Sequence, residues 1–511
     1  MAKFTATKFA EKYANDIQGT LDCFDRVVIK GTIRILATDA MVNRYMSDED
    51  ISPSAFTTFA KDLRGELKQH IEKFALENKI PIIHISSPKK FNKEAEIQKI
   101  IDKKQITEGY VAILTATELG SSYKCEVYKS QKHRVKQSSS PCLHYYIYFI
   151  DRTLGLTYLR IQTYIPLGLQ VYFNGHNYLA AKMRKHGIGF SMLDNGFTYI
   201  EDYQRAQKLA DDIKAEKLHK ILDAFAERFI PFLQRKRWEY HWTLMQVEYS
   251  TDVIFHEAKR VEQIYEELSH RSILCIKPSQ VAAYFETSYT MHTKRRVSNR
   301  MENGIEENGQ TSTTRVKHQK GANSIKMYNK PIRILRIETT VNKPQELRSK
   351  RSVKHRDGTT SNQVAYLSKS IYSIYLIRQI SHTANKRYLE TLACFDDNSK
   401  GSNKLESIAN AVYHNHRSYA GFNICKKSDL RLIRVIDRGE FAIGGIRNKD
   451  IRSLLPDLSS STVSRILRRM RDHQLIRKIA HGYRYVLTDI GRVLCAEALK
   501  LINMELLPAL S

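Results

Sequence analysis

The sequence predicts an α+β protein, a large mixed α/β platform followed by a small helical C-terminal module, on three observations. Strand-length runs rich in β-branched and aromatic residues crowd the first two hundred positions. Apolar residues recur at helical spacing between and after them. The later runs follow one another without intervening helices, which favours a largely antiparallel sheet over a doubly wound one.

Taken in order, the N-terminal MAKFTATKFAEKYANDIQ reads as a helix, without the apolar stretch or cleavage site of a secretory leader. Phe24 to Ile33, Ile80 to Ile85, Tyr110 to Ala116, Tyr123 to Tyr128, Leu143 to Ile150 and Thr157 to Tyr164 read as strands. Phe56, Phe59, Leu63, Leu67, Ile71 and Phe74 lie one helical turn apart behind a Ser-Pro start, so a long helix separates the first two strands. Lys208 to Leu233 gives one or two amphipathic helices, Tyr240 to Tyr249 an aromatic strand, and Val253 to Leu268 a helix. From Met291 to Thr360 the chain carries 17 basic and 6 acidic residues and includes ENGIEENGQTSTT, too polar to pack. An exposed loop over 297–314 within a basic hairpin region is expected there. A long helix returns over Lys369 to Phe395, and SKGSN near residue 400 reads as a linker. No internal repeat is apparent. The resulting division is 1–235, an α/β domain; 236–400, a central basic domain; 401–428, a linker; and 429–511, the C-terminal module.

With 82 Lys and Arg against 54 Asp and Glu, the 511-residue chain has a formal net charge of +28, which calls for a polyanionic partner. A bilayer is excluded as that partner in the spanning sense, since no apolar run approaches the roughly 20 residues required. Seven scattered cysteines without a C-x-x-C pair indicate neither a disulfide framework nor a zinc site, and place the chain in a reducing compartment, the cytoplasm. Nucleic acid is the expected partner.

The C-terminal module is the most interpretable stretch. Leu430, Ile433, Val435 and Ile436 form the apolar face of a first helix; Gly444 and Gly445 break it; Asn448 to Leu455, stopped by Pro456, is a second. In DLSSSTVSRILRRMRDHQLI, Val463, Ile466, Leu467 and Met470 make an apolar stripe. The other face carries Ser461, Ser464, Arg465, Arg468, Arg469 and Arg471, hydroxyls and guanidinium forks suited to phosphates and base edges. IRKIAHGYRYVLT then reads as a hairpin turning at His481 and Gly482, and LTDIGRVLCAEAL as a closing helix. This is the element order of a winged helix-turn-helix, with the third helix directed to the major groove and Lys478 and Arg484 of the wing beside the backbone. The competing account is a helical bundle whose arginines only solvate one face.

From about Leu430 to Leu499 the sequence, LTDIGR included, resembles the DNA-binding domain of MarR-type regulators. The resemblance implies duplex DNA as partner and transcription regulation as role. GTLDCFDRVVIKGT, CLHYYIYFID, YFNGHNYLA, LMQVEYSTD and NSIKMYNKPIRILRIETTVN resemble a bacterial family associated with mobile elements, a resemblance that implies no defined activity.

Chemistry has one candidate stretch on the platform. TTRVKHQKGANSIKMYNKPIRILRIETTVN forms two alternating strands around Lys330 and Pro331. Lys317, Lys326, Lys330 and Arg336 are candidate phosphate contacts on that hairpin. Tyr328 and Glu338, with Asp25 at the opening of a strand, are candidate catalytic residues. The arrangement is distantly similar to the lysine, tyrosine and R-x-E pattern of rolling-circle replication initiators, which implies tyrosine attack on a phosphodiester assisted by a metal-bound carboxylate. No paired His-x-His accompanies it: His318 and His355 are isolated, and Asn329 stands where a carboxylate would serve a metal. Asp22, Asp151 and Asp194 are further carboxylates that could join Glu338, but turn formation explains them equally. Asn174 and Asn177 around His176 read as helix caps, and His144 as a core histidine. Phosphate-loop, dinucleotide-binding, nucleophile-elbow and zincin motifs are missing, so those enzyme classes lack support.

Two readings therefore stand: a DNA-binding protein of winged-helix type, or a metal-dependent strand-transfer enzyme such as a nuclease, transposase or replication initiator. A structured-RNA binder is the third. No metal ligands are assigned and no cofactor is expected, apart from Mg²⁺ if the enzyme reading holds. Single-stranded DNA and a second copy of the chain are further possible partners.

Overall fold

The computed structural model describes residues 8–86, 91–127, 133–193, 195–287, 297–305, 312–330, 333–355, 357–394, 409–414, 417–423, 426–438, 441, 445–479 and 483–500. Among the described residues the strands of the platform are β1 (Ile17–Ile33), β2 (Ile82–Ile85), β3 (Gly109–Val127), β4 (His133–Asp151), β5 (Gly155–Gln162), β6 (Leu169–Asn174), β7 (Phe190–Leu193), β8 (Gly196–Ile200), β9 (Tyr240–Phe255), β10 (Val297–Ile305), β11 (Ser312–Lys320), β12 (Asn323–Lys330), β13 (Ile334–Val341), β14 (Arg348–Lys354) and β15 (Thr360–Tyr366), the last two pairing as a hairpin of their own. Eleven of them form one sheet, in the order β10-β11-β12-β13-β9-β1-β6-β5-β4-β3-β2, with β7 and β8 a separate hairpin. Among the described residues β2 alone runs parallel to its neighbour in this sheet, and the other pairs are antiparallel. The α+β class is thus as the sequence predicts.

The sheet is built from two similar halves. On one side of the β1/β9 pair, the meander β3 to β6 returns to place β6 against β1; on the other, the meander β10 to β13 places β13 against β9. Each half so repeats strand, helices, four-stranded meander. No repeat was expected, because the match lies in topology while the residues filling equivalent places differ. Strand β9 follows residue 235 yet lies beside β1, so the segments 1–235 and 236–400 contribute to one continuous sheet.

One face of the sheet is the main core. Val27 and Ile29 of β1, Leu159, Val171 and Phe173 of the first half, and Leu335 and Ile337 of the second pack under helices Phe56–Glu77, Ala215–Phe229 and Ile374–Ala393. Leu63, Leu67 and Ile71, one turn apart, supply the buried stripe of the first. Among the described residues the opposite face is covered in two places. Helices Gly175–Lys185 and Tyr203–Ala210 with the β7–β8 hairpin cap Leu21, Cys23 and Ile254. Helix Lys93–Lys104 caps Ala112, Leu114, Tyr146 and Tyr148. Between the caps lies a trough: Arg26 and Lys30 are exposed, and Gln170, Tyr172, Tyr158 and Arg160 only partly covered.

The long strands explain several differences from expectation. Tyr110 to Ala116 and Tyr123 to Val127 belong to a single strand, since the polar stretch between them pairs with the equally polar Ser138 to Pro141 of β4, while Tyr128 lies outside the described residues. The expected loop over 297–314 is corrected at 297–305 and 312–314, which lie in β10 and β11, paired from Val297↔Lys320 to Ile305↔Ser312; residues 306–311 lie outside the described residues. Two strands at a sheet edge, carrying polar residues, keep a solvated face and need no dense apolar pattern. The Gly444, His481 and Gly482 turns, Pro331, Asp194 and the SKGSN segment lie outside the described residues.

The C-terminal residues have their own core, from Phe422 to Ala498. Helices Lys427–Ile436, Asn448–Leu454 and Ser460–Asp472, the strand pair Ile476–Lys478 and Tyr485–Leu487, and helix Asp489–Lys500 follow in that order. Ion pairs Lys277–Asp437 (2.9 Å) and Lys8–Asp489 (3.1 Å) fasten this unit to the platform. Among the described residues no helix is long and apolar enough to cross a membrane.

Candidate functional site

The polar centre of the molecule lies where β1, β9, β13 and β12 meet. Its origin is a β-bulge: Phe24 pairs with Tyr249 and Val27 with Val247, so Asp25 and Arg26 together oppose the single residue Glu248. A bulge re-aims side chains and is common beside functional sites. On β9, alternation sets Glu248, Ser250 and Asp252 on one face; register then brings Glu338 opposite Ser250, Arg336 opposite Asp252, Lys326 opposite Glu338 and Tyr328 opposite Arg336. Four strands from three distant parts of the chain thereby converge.

Arg336 is the buried anchor of this centre, with no exposed surface. Its guanidinium donates to Asp252 Oδ1 (2.6 Å) and Oδ2 (2.7 Å), to Asp25 Oδ2 (3.2 Å) and to the Asn195 carbonyl (2.7 Å). His176 Nε2 lies 3.0 Å from Arg336 Nη2 and its Nδ1 3.3 Å from Asp25 Oδ1. Asn174 and Asn195 amides donate to Asp25 Oδ1 at 2.9 and 2.6 Å. Burial pushes the Asp252 carboxyl up, but Arg336 and the hydrogen bonds outweigh it and hold the group at about 2. The same balance holds Asp25 well below the ordinary carboxylate range.

Toward the trough, Glu338 accepts from Tyr328 Oη (2.6 Å) and from Lys326 Nζ (2.6 Å), and Lys326 also reaches Glu248 at 3.4 Å. Burial and the neighbouring Glu338 charge raise the Glu248 carboxyl. Burial and then Glu338 raise the Tyr328 hydroxyl well above its usual range. Asp25, Glu248 and Glu338 each offer a carboxylate oxygen, all within 4.8 Å of one another. An all-oxygen set suits a hard cation such as Mg²⁺, and the Lys326 ammonium pairs with two of the three carboxylates, Glu338 and Glu248.

The candidate catalytic residues Asp25, Tyr328 and Glu338 are therefore brought together. The candidate phosphate contacts are corrected. Arg336 is enclosed, Lys326 is paired twice and only 12% exposed, Lys317 pairs with Glu302 at 3.2 Å, and Lys330 donates to Asn195. Alternation along a strand tells which face a cation takes but not whether that face is covered. Of the other carboxylates, Asp22 accepts from Thr251 and pairs with His382, and Asp151 caps the turn at Thr153 and Leu154. Asn174 caps its helix as expected, accepting from His176 and Asn177 amides, and also serves Asp25. His144 and His318 are buried; His318 bridges Asn299 and Tyr388. Exposed His355 meets Ser361. Missed in the sequence were Glu248, Asp252 and His176 as partners; the one signal was Glu248, Ser250 and Asp252 at alternate places along one strand.

The second surface is the helix Ser460–Asp472. Val463, Leu467 and Met470 are buried. Ser461, Ser464, Arg465, Arg468 and Arg471 are exposed, as are Lys478 and Arg484 of the hairpin. Arg469 is a correction: it donates to the Ala420 and Gly421 carbonyls, pairs with Asp429 at 3.1 Å and lies 3.8 Å over the Phe422 ring. It fastens the preceding segment to the helix. Arg471 leans on Asp472 at 3.2 Å but stays 45% exposed.

No family model matches the chain, and no curated protein does. Among solved structures, a class II 3-hydroxy-3-methylglutaryl-CoA reductase from Streptococcus pneumoniae, bound to NADPH in open conformations, covers 91% of this chain and 80% of its own. The identity is 8% and the TM-score 0.18, values that carry no structural or functional argument.

Proposed function

We propose that the chain is a DNA-binding protein of winged-helix type, reading a duplex through Ser461, Ser464, Arg465 and Arg468. The observation that carries this is the division of one helix into a buried apolar stripe and an exposed hydroxyl and guanidinium face. Arg465 and Arg468 hold no ion pair among the described residues, so their forks are available to guanine edges or phosphates. Lys478 and Arg484 project from the adjoining hairpin, where the wing of such a unit contacts the backbone. Electrophoretic mobility shift with selected duplexes tests the reading: Arg465→Ala or Arg468→Ala should weaken specific binding by ~1–3 kcal/mol. Unchanged affinity of both variants would refute it.

The convergence of Asp25, Glu248, Glu338, Tyr328 and Lys326 favours a second reading, in which the platform is a metal-dependent strand-transfer enzyme and the C-terminal unit locates its site. The three carboxylates would hold Mg²⁺, which supplies Lewis-acid polarisation of a phosphoryl oxygen. Glu338 accepts from the Tyr328 hydroxyl and is placed to take its proton as the phenolic oxygen attacks phosphorus and the bond from phosphorus to the leaving oxygen breaks, water supplying the proton that the leaving oxygen takes. Nicking of supercoiled plasmid with Mg²⁺ should be lost in Glu338→Gln and Tyr328→Phe. Equal nicking by either variant, or none by the wild type, removes this reading and leaves the first.

A further inference from the structure

We propose that the uncovered trough of the sheet is a track for single-stranded nucleic acid, running from the Asp25, Glu248 and Glu338 centre across β1, β6, β5 and β4. This rests on reading the platform as acting on nucleic acid. The floor of the track is aromatic. Tyr158 and Tyr172 rings are stacked, 5.0 Å between centroids at 17°, and both stay partly uncovered. Tyr172 packs in none of the apolar clusters of the described residues, so core formation does not explain it. Arg26, its side chain 48% exposed, lies 5.4 Å from the Tyr172 ring.

Farther along, Glu118 works as a fixed clamp. It accepts from Tyr146 Oη (2.7 Å) and Arg160 (2.8 Å) and pairs with Lys93 (3.2 Å), setting both cations over the Tyr146 ring, Lys93 at 3.6 Å and Arg160 at 5.7 Å. Burial pushes the Glu118 carboxyl up, but these partners hold it at about 2, so the clamp stays charged at neutral pH. Partly covered Tyr158 and Arg160, with Lys93, Phe91 and the buried Tyr146 and Tyr148 under the Lys93–Lys104 helix, line a cavity of about 400 Å³ here, roomy enough for an organic group of nucleobase size.

Ring faces interleaved with cations are what unpaired bases and their phosphates require. A duplex does not satisfy them, because its base faces are hidden in its own stack. At about 4.8 Å per strand, the six steps from β12 to β4 give a track of roughly 29 Å, enough for several nucleotides.

Fluorescence anisotropy of the full chain with labelled oligo-dT, oligo-U and a duplex, all in EDTA, separates this proposal from those above. Tyr172→Ala should weaken binding of the preferred single strand about tenfold and leave duplex affinity unchanged, whereas Tyr172→Phe should bind as wild type. Arg26→Gln, at a half-exposed position that also pairs with Glu248 at 3.9 Å, should weaken it several-fold and flatten its salt dependence, with an unchanged Tm showing that the fold is kept. Arg465→Ala with Arg468→Ala should retain single-strand binding. If the wild type binds a duplex but neither oligo-dT nor oligo-U, or if Tyr172→Ala and Arg26→Gln bind single strands as tightly as wild type, the track is refuted while the duplex reading stands. Equal loss of single-strand and duplex binding in Tyr172→Ala also refutes it.

Discussion

At the scale of the residue, Arg336 decides whether the centre exists. Its fork neutralises Asp252 and Asp25 inside the protein, and removing one partner of such a cluster leaves buried charges without compensation. Arg336→Met should destabilise the chain by about 3–5 kcal/mol in urea unfolding, and Arg336→Lys should not restore it, since an ammonium cannot span both carboxylates. The same geometry fixes a pH dependence. Asp252 sits at about 2 in the folded chain against an ordinary value of 3.8. Its contribution to stability is therefore complete above about pH 4 and is lost as pH falls toward 2. Urea midpoints measured from pH 5 down to 2.5 should decline in the wild type and decline less in Asp252→Asn. In the sequence, Asp25, Tyr328 and Glu338 were legible because each is a polar group on a strand pattern. Glu248 and the true role of Arg336 were not, because both depend on which strand lies alongside, a non-local fact.

At the scale of the element, helix ends and close approaches make predictions that separate binding from folding. Gly175 starts the helix that carries His176, and a Cβ there would come within 2.0 Å of the Phe24 carbonyl oxygen. Gly175→Ala should lower Tm by several degrees and loosen the Asn174 cap on which Asp25 depends. Arg469→Ala should lower the thermal stability of the C-terminal unit, whereas Arg468→Ala should leave it within about 0.5 kcal/mol and affect only binding. Differential scanning calorimetry against mobility shift distinguishes the two arginines. The helices of this unit were legible to within a few residues, because 3.6-residue periodicity and caps such as Ser459 are local signals. The β10–β11 hairpin was not, because an edge strand needs no apolar face to announce it.

At the scale of the whole molecule, the excess of 82 basic over 54 acidic residues is spread over paired as well as free cations, so net charge overstates the binding surface. If Arg465, Arg468, Lys478 and Arg484 are the duplex contacts, the logarithm of affinity should fall against the logarithm of salt with a slope of roughly −4. A slope far steeper, measured by titrating KCl, would mean that other surfaces join in. The α+β class with a largely antiparallel sheet was predicted, but the two-half organisation of that sheet was invisible to residue comparison, since equivalent strands share direction and order without sharing side chains.

The pairing of β1 with β9 has a bearing on how the chain is made. Cys23 and Ser250, which meet across that pair, are 227 residues apart. During synthesis the first strand emerges long before its central partner, so the innermost ladder closes late and at high loop-closure cost. A ribosome-bound fragment ending near residue 235 holds β1 with one raw edge and Asp25 without its arginine, a species disposed to recruit chaperones or aggregate until the second meander arrives.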